Sequence, residues 1–297
     1  MALHRVTLLG GTGFVGRALA ARLTAAGVEV RAVARNAHSA RGLPHGVSAF
    51  AADVRDARRI RRAVADAGAV VYLPGMVTGR SESPFRELQV NAARNCAEQA
   101  AAEGVTRFVH VSALGARRDA PAAADRTKAE GERAVSSVFP DATVVRAGLT
   151  LGPDDHFATP LAAAMRAYPV LPVPGPATRI QPLHLDDLVA GLLAAMERDD
   201  TNGRTYEAGG PTTWTMHELV KAVCRAAGSR CWLPPLPEWL ALAAGAVAEL
   251  APDPRFCRDQ VRLMRTDKVV RGDLPTLGRL GVNPRDPVAE LDTILAV

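Results

Sequence analysis

A glycine-rich turn separates the first apolar run of the chain from the first segment with helical periodicity. The turn is GGTGFVG at residues 10–16, and the run before it is RVTLL. Its glycines allow a tight turn, a close approach of backbone N–H groups to a pyrophosphate, and close packing of a helix on a strand. The N-terminus of that helix offers free N–H groups and a favourable dipole to phosphates. The predicted contacts of this turn with a dinucleotide are Gly10, Thr12, Gly13, Phe14, Val15 and Gly16.

Apolar runs of strand length alternate with segments of helical periodicity through the first half of the chain. The runs are RVTLL, VEVRAVA, VSAFAA, AVVYL, RFVHVSA and TVVRAGL, each bounded by glycine, proline or charged residues. Such alternation predicts βαβ units and a parallel sheet covered on both faces. We therefore predict an α/β fold of the Rossmann type, with a doubly wound parallel sheet.

The pattern changes after about residue 150, where prolines cluster and the alternation stops. We predict an NAD(P)-binding core over residues 1–150 and a smaller, mainly helical region over residues 151–297. A short strand at RIQPLHL and a last strand at RTYEAGG, near residues 179–210, are expected to return to the core. Two further helices are predicted, with caps at Asp186 and Asp187 for the first and at Thr215 for the second.

Composition is that of a globular protein. The 297 residues are 48% hydrophobic and 23% charged, which excludes a disordered or fibrous chain. Four cysteines lie far apart with no CxxC, which predicts free thiols in a reducing compartment. The N-terminal sequence does not resemble a secretion signal, so we expect a cytoplasmic protein. The longest apolar stretch, residues 239–250, is too short to span a bilayer. We expect it to form a core helix, with a surface for a membrane or partner as the alternative.

Arginine supplies almost all of the positive charge. It accounts for 33 of the 36 basic residues, and lysine for only three, Lys128, Lys221 and Lys268. The densest basic cluster, VRDARRIRR, has acidic neighbours and no interleaved aromatic residues, so we predict a solvated helix face and no nucleic-acid partner. No residues have the spacing of metal ligands, and no metal is predicted. Because arginine fills ordinary surface positions, a lysine indicates a more specific role.

The end of the second predicted strand distinguishes NAD from NADP. An acidic residue there would hold the ribose of NAD, whereas an arginine would accept the additional phosphate of NADP. No acidic residue follows Glu29 until Asp53, while Arg31, Arg35 and Arg41 are present. Arginine is so frequent in this chain that the missing acid is the stronger argument. We predict NADP(H) rather than NAD(H), with Arg35 as the phosphate ligand.

Further contacts with the cofactor are predicted where the third, fourth and fifth strands end. In AADV, the Asp53 carboxylate would accept a hydrogen bond from the adenine amine, and Val54 would pack on the ring. The alternative role of Asp53 is a helix N-cap. The other predicted contacts are Leu73, Pro74 and Gly75, in LPG after the fourth strand, and Ser112, in HVSALGA after the fifth. Open α/β sheets bind ligands at this edge.

Six ordered motifs resemble those of the short-chain dehydrogenase/reductase superfamily. They are GGTGFVG, AADV, FVHVSALGA, DRTKAEGERAV, VVRAGLTLGPDDHF and QPLHLDDLVAG. Within it the chain resembles the atypical branch that contains the NADPH-binding accessory subunit of mitochondrial complex I and its bacterial relatives. The GGP turn at residues 209–211 and RDQVRLMRTDKVV extend the resemblance along the whole chain. It implies a bound nucleotide, a protein partner or respiratory complex, and a position peripheral to the inner membrane.

The chain departs from active members of that superfamily at one position. Those members use Tyr-x-x-x-Lys on one helix, where the lysine lowers the pKa of the tyrosine and holds the nicotinamide ribose. Lys128 stands at the lysine position, but residue 124 is alanine. Ser112 and Lys128 are then the remnant of the catalytic set. The alternative role of Lys128 is a surface ion pair with Glu132, one turn away.

Two functions remain open at this point. One is an NADPH-binding protein with a structural, regulatory or redox-sensing role. The other is an active oxidoreductase or epimerase acting on a hydrophobic substrate such as a quinone or isoprenoid. For the second, Asp154, Asp155 and His156 are candidates for a replacement acid near the nicotinamide, whereas His217, four residues before Lys221, is expected on the surface.

Overall fold

The structure is a computed structural model that describes residues 3–36, 41–251 and 256–296. Its largest sheet contains β1 (Arg5–Leu9), β2 (Glu29–Ala34), β3 (Val47–Ala51), β4 (Ala69–Tyr72), β5 (Arg107–Ala113), β6 (Thr143–Ala147) and β11 (Thr205–Ala208). Six short strands are β7 (Thr150–Leu151), β8 (Val173–Pro174), β9 (Arg179–Ile180), β10 (Leu183–His184), β12 (Trp214–Thr215) and β13 (Pro235–Leu236).

The helices follow the same alternating order through the first half of the chain. They are α1 (Phe14–Ala25), α2 (Ala57–Val64), α3 (Glu82–Arg86), α4 (Ala92–Ala102), α5 (Ala123–Val138), α6 (Ala158–Ala167), α7 (Leu185–Glu197), α8 (Met216–Ala226), α9 (Glu238–Ala248), α10 (Arg258–Leu263) and α11 (Leu291–Leu295). A single π-helical turn, Glu87–Asn91, joins α3 to α4.

The large sheet is parallel throughout, in the order β11-β6-β5-β4-β1-β2-β3. The chain leaves β1 in one direction through β2 and β3, and then returns to build the other side through β4, β5 and β6. This reversal next to β1 creates a crevice at the carboxyl ends of β1 and β4. The doubly wound Rossmann-type fold expected from the sequence is confirmed.

Apolar side chains cover both faces of this sheet. On one face Leu19 and Leu23 of α1 pack with Leu188 and Leu192 of α7. On the other face the buried residues come from α2, α4 and α5, among them Ile60. The arginines of α2 point away from this face and lie exposed, as predicted for a solvated helix face.

Residues beyond 150 contribute both to this core and to a third cluster. The strand β11 pairs with β6 at the edge of the large sheet, and residues 277–280 pack beside α7. The third cluster lies among α6, α8, α11 and the short strands. RIQPLHL does not form one strand, because it is divided into β9 and β10, which pair in different small sheets. Between them the backbone N–H of Gln181 donates to the Lys268 carbonyl at 3.0 Å, and the side chain bonds to the backbone of Gly210 and Val270.

The two predicted helix caps have different outcomes. Thr215 caps α8 in a reciprocal capping box with Glu218, as predicted. The cap of α7 is His184, whose Nδ1 accepts the backbone N–H of Asp186 at 3.1 Å, so the prediction of Asp186 and Asp187 was wrong. These two carboxylates lie in the first turn instead, and that of Asp187 accepts the backbone N–H of Arg285 at 2.7 Å.

The apolar helix α9 is not a core helix. Trp239 is 71% exposed and Val247 69% exposed, and only Ala241 and Gly245 of this helix are buried. The expectation of a core helix was therefore wrong, because its apolar residues surround the helix on all sides and only its smallest ones face the protein. Across the described ranges, no helix combines the length and apolarity needed to cross a membrane. All four cysteines are buried and unpaired, as expected for free thiols.

Candidate functional site

A cleft of about 900 Å³ opens at the carboxyl ends of β1, β2 and β4. The structure brings into it the predicted residues Gly10, Thr12, Gly13, Phe14, Val15, Gly16, Arg35, Asp53, Val54, Leu73, Pro74 and Gly75. We call it the α1 cleft, because the N-terminus of α1 forms its floor. Its position matches the switch point at which open α/β sheets bind nucleotides.

The backbone of the glycine turn requires its glycines. Gly10 has a φ of +78°, which side chains disfavour, and its N–H donates to the Val33 carbonyl at 3.0 Å. A Cβ on Gly16 would lie 2.7 Å from the backbone of Gly11, so α1 reaches the strand only because residue 16 has no side chain. The turn therefore leaves an open cradle in front of the helix.

The first turn of α1 carries no acidic side chain. Its N-cap is Gly13, which offers no side-chain acceptor. The first N–H groups of a helix have no intrahelical partner, and they carry the positive end of the helix dipole. A phosphate or pyrophosphate fits this environment in charge and in hydrogen-bonding capacity.

Two arginines and one aspartate line the end of the cleft beside β2 and β3. The Asp53 carboxylate accepts from Arg55 at Nε (2.9 Å), Nη2 (2.6 Å) and the backbone N–H (3.0 Å). These bonds, with Arg35 nearby, hold the pKa of Asp53 at about 2. The N-cap of α2 is Asp56, so the alternative role of Asp53 as a cap was wrong. Arg35 and Arg55 thus present two cations around one ionised carboxylate.

Lys128 lies behind the rim of the cleft and does not line it. Its Nζ donates to the Val111 carbonyl at 3.2 Å and lies 3.1 Å from the place a Cβ on Gly75 would occupy. Burial lowers the pKa of this amine to about 8. The carboxylate of Glu132 is held by both arms of Arg146, at 2.9 and 2.7 Å, so the alternative of a surface ion pair with Lys128 was wrong.

Ser112 lies on the same strand face as His110, and neither lines the cleft directly. The Ser112 Oγ is buried, and among the described residues it has no hydrogen-bond partner; the same holds for both ring nitrogens of His110. The His110 ring stacks on Tyr72 at 5.5 Å, and burial lowers its pKa to about 3, which keeps it neutral at pH 7. An unpaired hydroxyl in such a place is costly unless a ligand satisfies it.

Ala124, the residue that the resemblance places where active members have their tyrosine, is enclosed by other side chains. Ala124 is buried in a small cluster with Phe85, against which Met76 and Leu263 pack. The buried Asp259 accepts the N–H groups of Ala123 and Ala124 at 2.8 and 3.0 Å. A residue of α10 therefore caps the first turn of α5.

A second polar contact joins the segment after α10 to the first turn of α5. Lys268 makes an ion pair with the buried carboxylate of Asp125. Burial raises the pKa of Asp125, and the nearby ammonium group opposes that rise. A buried pair of this kind leaves an uncompensated charge if either partner is removed. Lys128 and Lys268 thus both have specific, partly buried positions, as the scarcity of lysine suggested.

The candidates for a replacement acid occupy different positions, and of the three only His156 lines the α1 cleft. Asp155 is buried and accepts the N–H groups of Phe157 (2.7 Å) and Ala158 at the start of α6, so its carboxylate serves as a cap. His156 lines the α1 cleft, and its ring lies 5.9 Å from that of Phe14. Asp154 is not among the residues that line the cleft, and His217 lines a different groove, on α8.

Several residues of the cleft were not predicted from the sequence. They are Val33, Ala34, Asn36, Ala52, Arg55, Met76, Ser83, Pro84, Glu87 and Leu88. Arg55 had a readable signal, because it stands two residues after Asp53 in the same turn. The residues of α3 and the π-helical turn had none, since their approach to the cleft depends on tertiary packing. Within the described chain, no group of three or more ligating side chains is arranged to hold a metal ion.

The comparisons with known proteins agree with this geometry. A family profile described as NAD(P)H-binding matches residues 10–148. The protein named NADH dehydrogenase (ubiquinone) 1 alpha subcomplex subunit 9, mitochondrial, is 28% identical in Dictyostelium discoideum, over 93% of this chain and 80% of that protein. Its rat counterpart is 33% identical over 78% of this chain, and the match spans 62% of the rat protein.

Two further comparisons extend the range of relatives. A ceramide reductase of Caulobacter vibrioides is 30% identical over 82% of this chain and 77% of that protein. Among solved structures, UDP-glucose 4-epimerase of Thermotoga maritima superposes with a TM-score of 0.75 at 16% identity, covering 98% of this chain and 97% of that one. At 16% identity, this superposition shows only that the two proteins share a fold.

Proposed function

We propose that this chain, which belongs to the short-chain dehydrogenase/reductase superfamily and within it to the NAD(P)H-binding branch of the complex I accessory subunits, holds NADPH in the α1 cleft and acts mainly through the bound nucleotide. The observation that carries the proposal is the enclosed Ala124, because the usual proton donor is replaced by a small side chain that other residues cover. A bound nucleotide would then stabilise the fold and act as a structural, regulatory or redox-sensing element.

The assignment of residues follows the chemistry of the cleft. The α1 N-terminus would hold the pyrophosphate, and Arg35, aided by Arg55, the additional phosphate of NADPH. Within the described ranges, the Oδ2 atom of Asp53 accepts from Arg55 Nη2 alone, so it retains capacity for the adenine amine. Lys128 and Ser112 would hydrogen-bond the ribose hydroxyls beside Gly75. The nucleotide, when bound, supplies hydride chemistry, which these residues would position without a neighbouring tyrosine.

The preference for NADPH can be tested by one substitution. We expect Arg35→Ala to raise the Kd for NADPH roughly 10- to 150-fold, the effect of losing one charge-assisted hydrogen bond, and to change the Kd for NADH much less. Arg58→Ala, an exposed arginine of α2, is the matched control and should affect neither. Equal losses for both nucleotides after Arg35→Ala would contradict the phosphate assignment.

The relatives point to partners for such a protein. The complex I subunits named above support a role for this chain as a peripheral component of a respiratory complex. Co-purification with respiratory enzymes from membranes, in wild type and in Arg35→Ala, tests this role. Recovery of the chain without any partner from mildly solubilised membranes would argue against it.

A second candidate function is an NADPH-dependent oxidoreductase or epimerase on a hydrophobic substrate. The ceramide reductase relative favours it, as does the unpaired Ser112 Oγ beside the cleft. Oxidation of NADPH should be measured with a panel of quinones, isoprenoids and ceramide-type lipids. If the wild-type protein turns over one of these substrates, and Ser112→Ala loses turnover but still binds the nucleotide, the second function is supported over the first.

A further inference from the structure

A groove of about 550 Å³ lies on α8, away from the α1 cleft. One wall is the exposed side of α8, and the other is the segment of residues 231–235. We call it the α8 groove. None of its lining residues also lines the α1 cleft. The groove and the cleft are therefore separate places on the surface.

Three basic side chains follow one side of α8 along the groove. His217, Lys221 and Arg225 are spaced by four residues, so they share a face over about 12 Å. Among the described residues the side chains of Lys221 and Arg225 have no ion pair, and the Nε2 of His217 is shielded from solvent without a partner. The neighbouring Glu218 uses its carboxylate on the N–H and hydroxyl of Thr215, both at 2.8 Å. The wall is therefore positively charged.

An exposed aromatic ring forms the opposite wall. Trp232 is 67% exposed although its backbone is fixed: its N–H donates to the Pro169 carbonyl at 2.8 Å, and its carbonyl accepts from Leu171 at 2.9 Å. Pro234 and Pro235 continue this wall, and their rings restrict the backbone further. Exposed indoles on a fixed backbone are platforms on which planar rings stack.

We propose that the α8 groove binds a nucleoside phosphate. The base would stack on Trp232, and the phosphate would lie between Lys221 and Arg225, with His217 as a further donor. A phosphate suits this wall better than a carboxylate, because it carries up to two negative charges and several acceptor oxygens for two permanent cations one helical turn apart. The ligand is separate from the dinucleotide of the α1 cleft.

Adenosine 5′-monophosphate is the probe, titrated calorimetrically into the full chain saturated with NADPH. We expect one additional site per chain, with adenosine and inorganic phosphate each binding more weakly than the monophosphate. Trp232→Ala should weaken binding roughly 5- to 100-fold, the loss of one base-stacking contact. The double variant Lys221→Gln, Arg225→Gln should weaken it at least about tenfold, as expected for lost charge-assisted bonds.

Matched variants outside the groove test whether the losses in binding are specific to its residues. Trp239→Ala removes an equally exposed indole outside the groove, and Arg22→Gln removes an exposed arginine at the end of α1; both should bind as wild type does. All variants should retain wild-type NADPH affinity and melting temperature. No saturable heat, displacement of the monophosphate by NADPH, or equal losses in Trp232→Ala and Trp239→Ala would overturn the proposal. If NADPH itself fails to bind, dependence on Trp232 still decides whether the groove is the site.

Discussion

Replacing Lys128 by arginine tests whether the amine reaches a bound nucleotide. The change keeps the positive charge but substitutes a longer side chain with a planar head. The Nζ of Lys128 already lies 3.2 Å from the Val111 carbonyl and 3.1 Å from the place of a Cβ on Gly75. A guanidinium is larger than the ammonium that bonds this carbonyl beside the LPG turn, so we expect it to move away from the cleft or to displace that turn.

The expected magnitude follows from the hydrogen bonds that the ammonium would make to the nucleotide. A hydrogen bond to a charged group contributes about 1.5–3 kcal/mol. Losing one of them raises the Kd roughly 10- to 150-fold, since each 1.4 kcal/mol is about a factor of ten. We therefore expect Lys128→Arg to weaken NADPH binding by at least about tenfold.

The assay is the fluorescence of bound NADPH, titrated at pH 7 with wild type and variant. Lys221→Arg is the matched control, because that lysine is exposed on α8, and its NADPH affinity should remain unchanged. Thermal melts of both variants show whether the fold is intact. A Kd for Lys128→Arg within twofold of wild type, with an unchanged melt, would refute the placement of the ammonium on the nucleotide.

Three further outcomes follow from the packing around α5. Gly131→Ala should destabilise the fold by about 1–3 kcal/mol in urea, because its Cβ would lie 1.9 Å from the Gln89 carbonyl oxygen; an unchanged midpoint would contradict that contact. Asp259→Ala should cost about 1–2 kcal/mol, the usual effect of removing a helix cap, and a neutral result in the same urea assay would remove Asp259 from that role. Lys128 has its pKa lowered from 10.5 to about 8, so the unfolded chain binds more protons between these values and this group makes the stability rise with pH there. Relative to wild type, Lys128→Met should lose that rise in unfolding measurements from pH 7.5 to 10, and parallel curves would contradict the lowered pKa.

The parts of the fold predicted from the sequence depend on local signals. The six apolar runs each became a strand, because short runs of β-branched and small apolar residues between helices are typical of parallel strands. The glycine turn was readable because Gly10 and Gly16 meet backbone requirements within a few residues of each other. RTYEAGG provided the seventh strand in the same way.

The remaining features depend on contacts between distant parts of the chain. The cap of α5 comes from Asp259, 136 residues beyond Ala123, and no local pattern reveals such a partner. The exposure of α9 could not be predicted, because an apolar composition does not show whether another part of the protein covers the helix. Glu87 and Leu88 belong to the π-helical turn and line the cleft. This turn packs closely on α5 at Gly131, where a side chain would collide with the Gln89 carbonyl.

Because lysine is scarce, few side-chain amines of the folded protein can react with a reagent in solution. Lys128 lies beneath the cleft rim, and the side chain of Lys268 is 17% exposed beside Asp125, whereas Lys221 projects into solvent. An acylating reagent therefore encounters one freely reachable lysine side chain on the native protein. A dye or cross-linker attached there would mark the α8 groove at a single position, and protection of that amine would report directly on what occupies the groove.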